Sequence, residues 1–318
     1  NAYRQWDIRT TWMDSLPGIY RFHQVFFPLY ALAFGWLDLS QSGHDLILSN
    51  KSGFCHGVRT DGIPQLCYCL APTRYVWEYD RYAVRENLPP IVKLLLKPLI
   101  HHLKRWDYRV AQRRNTTYVA ISTEIQQRIR RYYGRDAEII FPPVEVGRFH
   151  PVANLDDYYL VVSRLVPYKR IDIPVRAFTE LGLPLKIVGD GRDRKALEAE
   201  AGTNISFLGW VSDRELPSLV ARCRAFVFPG REDFGLAPVE AQAAGRPVIA
   251  YRAGGALDTV IEGGTGVFFE EPTPESLIEV VQSFDPESIS PQMCRSNAER
   301  FSFDRFRSQL TRAVRRLI

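Results

Sequence analysis

Apolar residues fall into short runs separated by longer amphipathic stretches, and the alternation is most regular in the second half. Tyr159–Val162, Leu185–Val188, Ile205–Leu208 and Ala225–Phe228 are apolar runs of strand length, and another, PVIAY, ends at Tyr251. Short runs bounded by turn residues predict buried strands. Between them, residues 172–181, Arg192–Ala201 and Asp213–Ala221 carry helical spacing. A further short helix is expected from Pro238 to Ala244, because proline suits a first helical position and Gly245 a C-terminal stop. Short strands of this kind joined by helices predict a doubly wound parallel sheet.

The first half alternates less cleanly. Asp45–Ser49, Leu66–Leu70, Tyr118–Ile121 and Glu138–Phe141 read as strands, and Thr123–Tyr133 as a helix stopped by Gly134. Residues 88–114 read as a long basic amphipathic helix interrupted at Pro98. Residues 1–40 read as helical and rich in aromatic rings, with Arg4, Arg9 and Arg21 interspersed. Three prolines and a glycine within residues 142–157 mark a linker. The expected organisation is an α/β chain with a Rossmann-like domain over 1–145, a second over 146–300, and a C-terminal helix over 301–318 packing back toward the first.

Length agrees with two cores, since 318 residues exceed what one ordinary core uses. Charge divides unevenly: residues 1–150 hold 20 Lys and Arg against 13 Asp and Glu, and the remainder 21 against 23. A basic first half suits an anionic partner such as a phosphorylated substrate or a membrane surface, or is simply a solvated basic face. Its cations are interspersed with acids and match no nucleic-acid module, so nucleic acid is not expected. The longest apolar run, Val25 to Leu37, contains Pro28 and Gly35 and is too short to span a bilayer. Five cysteines, with only Cys67 and Cys69 close together, read as buried thiols of a cytosolic protein.

Three loops could carry chemistry, each following a strand. Arg164 and Lys169 are cations five residues apart after Tyr159–Val162, a clamp suited to a diphosphate. Glu232 and Glu240 are spaced Glu-x7-Glu around a helix entry at Phe234, Gly235 and Leu236, where free N–H groups favour a phosphate. Helix-dipole complementarity accounts for Glu240, and a solvated loop acid for Glu232, equally well when each is taken alone. Gly189-Asp190-Gly191 is a tight turn that allows close approach to a ligand or serves structure only. No Asp-x-Asp, metal-spaced His and Cys cluster, Walker loop or GxSxG elbow occurs.

In order and spacing, SRLVPYK, VGDG, FLGWV and GREDFGLAPVEAQAAGRPVIA resemble family 4 of the glycosyltransferases, retaining enzymes of the GT-B fold. In the first half CYCLAPTRYVWEYD, LKRWDYR, STEIQQRIRRYYGR and IIFPPVEVGRF resemble bacterial mannosyltransferases of O-antigen and exopolysaccharide assembly. The resemblance implies two Rossmann-like domains, the first without its opening βαβ portion. It implies that Arg164 and Lys169 bind the donor diphosphate, Glu232 the donor sugar and Glu240 the ribose. Backbone amides of Phe234, Gly235 and Leu236 would meet sugar and phosphate, Gly191 would line the donor site, and Trp210 and Val211 would flank the base. It also implies a metal-independent enzyme without a cofactor, using a GDP- or UDP-linked sugar as substrate. The acceptor would be a glycan or a polyprenyl-diphosphate-linked glycan, and the protein cytoplasmic, peripheral on the membrane face. The subgroup usually has His where this chain has Leu70. A GT-B-fold sugar-nucleotide 2-epimerase and a non-catalytic nucleotide-sugar-binding remnant are the alternatives.

Overall fold

The computed structural model describes residues 6–23, 25–80, 83 and 88–318. Arg4, one of the N-terminal cations, lies outside them. The chain divides into two compact units, one of Asn1–Ile121, Ile125–Ile139 and Arg312–Ile318, the other of Ser122–Glu124 and Ile140–Thr311.

In the first unit, β1 (Ile47–Lys51), β2 (Gln65–Cys69), β3 (Thr116–Ala120) and β4 (Ala137–Ile139) form a parallel sheet in that order. Every residue of β2 is buried, as expected of an inner strand covered on both faces. Strand β1 alternates, turning Ile47, Ser49 and Lys51 inward. Cys67 and Cys69 are buried on β2, and all five cysteines are unpaired thiols.

The unit's described helices are α1 (Ile19–Phe22), α2 (Phe27–Trp36), α3 (Arg74–Trp77) and α4 (Pro90–Ala111), together with most of α5 (Thr123–Tyr133). The expected helical stretch over residues 1–40 is broken among its described residues. Pro17 and a left-handed Gly18 (φ 76°) separate a 3-10 turn at Trp12–Ser15 from α1, and α2 starts anew with Pro28 in its first turn. Helix α4 is not interrupted at Pro98. The ring removes one donor, but Pro98 and Leu94, whose carbonyl loses that partner, both face outward, where solvent can satisfy the carbonyl. Around Phe54, edge-on contacts with Tyr75 (5.8 Å) and Trp106 (5.4 Å) join α3 and α4 into one core with Ala31 and Leu103.

The second unit carries a six-stranded parallel sheet of β5 (Tyr159–Val162), β6 (Leu185–Val188), β7 (Ile205–Gly209), β8 (Phe226–Phe228), β9 (Val248–Tyr251) and β10 (Gly266–Phe269). Its order is β10-β9-β8-β5-β6-β7. The chain winds from β5 to β7 on one side, then returns to β8 and winds to β10 on the other. Neighbouring β5 and β8 therefore form the topological switch point, where a crevice opens beyond the strands' carboxyl ends. Helices α6 (Asp172–Leu181), α7 (Arg194–Glu200), α8 (Leu216–Arg222), α9 (Leu236–Ala243), α10 (Ala256–Thr259), α11 (Pro274–Ser283), α12 (Pro291–Ala298) and α13 (Phe303–Arg315) complete the chain. Val161, Phe178, Ile187, Val227, Ile249 and Phe269 form the core between sheet and helices. Among the described residues no helix is long and apolar enough to cross a membrane.

Candidate active site

Both loops that leave the switch point carry expected site residues. The loop after β5 ends in a short 3-10 turn, Pro167–Lys169, closed by a left-handed Arg170 (φ 56°). That turn aims Lys169 at Glu232, in the loop after β8, and the two side chains form an ion pair. Both are largely shielded, at 13% and 23% exposure, so the pair is less screened than a surface contact. Arg164 is exposed and donates to the Tyr168 hydroxyl at 2.7 Å. The structure thus joins Lys169 to Glu232 and leaves Arg164 on the loop's outer side.

Helix α9 begins at Leu236 rather than Pro238, with left-handed Gly235 (φ 89°) as its N-cap. Pro238 instead occupies the third helical position, where its missing N–H is still one the helix leaves unpaired. A Cβ at Gly235 would lie 2.8 Å from the Phe228 ring, so both backbone angle and space require glycine. Phe234 is buried, its ring 5.9 Å from Phe141 and 5.6 Å from Phe301, which anchors the helix entry. Leu236 is half exposed beside it.

Glu240 consequently sits in the second turn of α9, not the first. It is half-buried, and its carboxylate makes no hydrogen bond among the described residues. Burial raises its pKa; the Arg148 charge opposes that shift, while Asp213 and Glu145 add to it. Gly191, after β6, packs against the Leu165 carbonyl and takes an Asp190 carboxylate oxygen on its amide at 2.7 Å. Trp210, just past β7, is 80% exposed, and Val211 is half-buried. Strand β7 is the sheet edge, so these two stand farther from the switch point than Lys169 and Glu232.

Two features escaped the sequence reading. Gly254 and Gly255 pack on the site's backbone: Gly255 donates to the Glu232 carbonyl at 2.8 Å, and a Cβ on it would fall 2.1 Å from the Phe234 carbonyl oxygen. The paired glycines in AGGA were the available signal.

The second is a buried polar network in the first unit. Asp107 accepts from His56 Nε2 (2.7 Å), Trp77 Nε1 (2.6 Å) and the Tyr133 hydroxyl (2.7 Å), with Lys51 Nζ at 3.8 Å. His56 Nδ1 meets the Tyr118 hydroxyl at 2.7 Å, a pairing that suits the neutral Nε2–H tautomer. Lys51 also donates to the Gly53 carbonyl (2.6 Å) and Thr73 Oγ1 (3.0 Å). These bonds and the Lys51 charge hold Asp107 well below the usual carboxylate range despite its burial, while burial and Lys51 push His56 down to about 4. Asp107 shares the buried face of α4 with Ile100, Leu103 and Val110, an acid at a core position that the helical spacing alone could have flagged.

The switch-point loops, the glycine-capped helix entry and the free carboxylate of Glu240 all lie within residues 148–301, which match the family model described as glycosyl transferases group 1. Through this segment, just under half of its length, the chain is similar to the group 1 glycosyl transferases. It is 27% identical over 212 residues to an uncharacterized glycosyltransferase of Methanocaldococcus jannaschii, covering 63% of this chain and 60% of that one. It is 33% identical over 178 residues to the GDP-mannose-dependent alpha-(1-6)-phosphatidylinositol monomannoside mannosyltransferase of Mycolicibacterium smegmatis, covering 46% and 47%. The chain thus spans about half to three-fifths of the length of these curated relatives. Sucrose-phosphate synthase from Thermosynechococcus elongatus superimposes with a TM-score of 0.73 at 20% identity, over 92% of this chain and 79% of that one. A four-stranded and a six-stranded parallel sheet, each in its own α/β unit, are the two halves of the GT-B fold.

Proposed function

We propose that the chain is a retaining, metal-independent hexosyltransferase that takes mannose from GDP-mannose. Its acceptor is a glycan or a polyprenyl-diphosphate-linked glycan in cell-surface polysaccharide synthesis, met at an anionic membrane surface. The observation that carries this reading is the Lys169–Glu232 pair at the switch point of the second sheet. A cation and a carboxylate held together there suit a ligand that combines phosphates with sugar hydroxyls.

In this reading Lys169 and Arg164 hold the diphosphate. Glu232 accepts from the donor sugar's hydroxyls and Glu240 from the ribose. The amides at Phe234, Gly235 and Leu236 meet sugar and phosphate, Gly191 lets the backbone approach, and Trp210 and Val211 flank the base. The bond from the anomeric carbon to the diphosphate oxygen breaks, and the acceptor oxygen bonds to that carbon on the same face. The acceptor proton passes to the departing phosphate oxygen. Charge gathers on the leaving diphosphate in the transition state, so fixed cations there are the main catalytic lever.

The test is mass spectrometry of reactions with GDP-mannose, UDP-glucose and UDP-GlcNAc, each with and without a lipid-diphosphate acceptor. Acceptor-dependent transfer from GDP-mannose with the anomeric configuration kept is expected. An inverted product, or nucleotide binding with neither transfer nor hydrolysis, would overturn the reading.

A further inference from the structure

Lys51 ends β1 with its ammonium turned into the interior of the first unit, where neither it nor Asp107 meets solvent. A buried ion pair holds a fold together no better than apolar residues of equal volume, so stability alone does not account for this one. What Lys51 binds besides Asp107 does. Its Nζ donates to the Gly53 carbonyl at 2.6 Å, in the loop leaving β1, and to Thr73 Oγ1 at 3.0 Å, in the loop leaving β2. Its own carbonyl accepts from the amides of Leu70 at 2.8 Å and Ala71 at 3.2 Å. One residue therefore ties two strand-end loops together through both its side chain and its backbone.

Thr73 carries a second sign of this arrangement. It is the N-cap of α3, and the amides of Val76 and Trp77 donate to its carbonyl at 3.0 Å. A threonine at that position normally turns its hydroxyl onto the helix's own free amides. Here the side chain makes no such cap bond. It meets Lys51 instead and lies 3.1 Å from the Gly53 carbonyl. Asp107, at 3.8 Å from Nζ, balances the charge without displacing Gly53 or Thr73 as hydrogen-bond partners. It is itself held by His56, Trp77 and Tyr133. The anchor is buried, yet the loops it holds reach the surface: Ser52 is exposed, and Gly53, Leu70 and Arg74 are half-buried.

We propose that Lys51, balanced by Asp107, is a positioning residue for the acceptor: it fixes Ser52 and Gly53 against Leu70 and Arg74 as the surface on which the acceptor glycan binds. Ligands of open α/β sheets sit beyond the carboxyl ends of the strands. The donor reading fills that place on the second sheet, and the first sheet's corresponding end, at β1 and β2, serves the other substrate. A misplacement of about 1 Å costs on the order of 100-fold in rate, so directional bonds there have a use that apolar packing lacks. The inference rests on the transferase reading for the identity of the ligand, not for the anchoring itself.

Two variants separate position from stability. Lys51→Met with Asp107→Asn removes both charges at similar volume and leaves an amide oxygen for His56. Thr73→Val removes one anchor and keeps the ion pair. Hydrogen exchange read by mass spectrometry should show amides in 52–57 and 70–77 exchanging about tenfold faster in the double variant, with β3 unchanged, and a smaller rise in Thr73→Val. Calorimetry with farnesyl-diphosphate-linked N-acetylglucosamine should give binding about tenfold weaker in the double variant, and GDP affinity equal to wild type. In transfer from GDP-mannose, the KM for that acceptor should rise while the KM for the donor holds. A purely structural Lys51 would weaken both ligands together, and that result overturns the proposal. So would unchanged loop exchange, wild-type acceptor affinity in variants with loosened loops, or a wild-type protein that does not bind the acceptor probe. Failure of the donor reading shows separately, as absent GDP binding by wild type in the same titrations.

Discussion

His56 gives the first unit a pH-dependent stability whose size follows from its surroundings. The ring is fully buried, and its two nitrogens are committed to Asp107 and Tyr118. Lys51 already supplies the positive charge that Asp107 pairs with, so a second proton on His56 meets both burial and like-charge repulsion. The folded pKa falls to about 4 from an ordinary 6.5. Between those values the unfolded chain takes up a proton that the folded chain refuses. The associated stability is therefore complete above about pH 6.5 and is lost as pH falls toward 4. Near pH 5 the loss is about 2 kcal/mol, from roughly 1.5 units at about 1.4 kcal/mol each. The depressed pKa of Asp107 acts in the same direction at lower pH, in the carboxylate range. Urea unfolding at pH 7.5 and near pH 5, followed by tryptophan fluorescence, measures it. Trp6, Trp12, Trp36, Trp77 and Trp106 belong to the first unit and only Trp210 to the second, so this signal reports mainly on the right unit. His56→Gln removes the titrating group and should flatten the pH slope by about the same amount. An equal slope in wild type and variant would refute the mechanism.

The site yields further predictions. Lys169→Met should lower turnover on the order of 10²–10³-fold, the cost of losing one preorganised electrostatic group, and single-turnover kinetics with saturating donor would show it. Glu240→Ala should weaken GDP binding about tenfold while barely affecting 2′,3′-dideoxy-GDP, because the lost hydrogen bonds would be those to the ribose; calorimetry with both nucleotides distinguishes them. Gly255→Ala should cost several kcal/mol or displace the Glu232 loop, since its Cβ would meet the Phe234 carbonyl at 2.1 Å. A thermal melt within a degree of wild type would contradict that.

The second sheet was legible because buried parallel strands are short apolar runs, and Tyr159–Val162 and Leu185–Val188 fall where the sequence puts them. Helix ends were less so. Pro238 reads as a helix start, yet Gly235 caps α9 three residues earlier, a choice made by the close approach of the Phe228 ring. Pro98 reads as a break, but the cost of a proline depends on whether the freed carbonyl faces water, which spacing does not reveal without the partner surfaces. Lys169 and Glu232 were legible as separate loop charges, and their pairing across the switch point was not, because it depends on β8 returning beside β5. The network around Asp107 was invisible for the same reason. His56 and Lys51 are more than 50 residues away in sequence and reach Asp107 only once the first unit has folded.

Titration calorimetry of GDP-mannose and GDP against wild-type protein and Lys169→Met tests the donor site most directly. Saturable 1:1 binding of both ligands to wild type, weakened at least tenfold in Lys169→Met, is the expected result. Absence of nucleotide binding, or equal affinity in the two proteins, would contradict a donor site built on the Lys169–Glu232 pair.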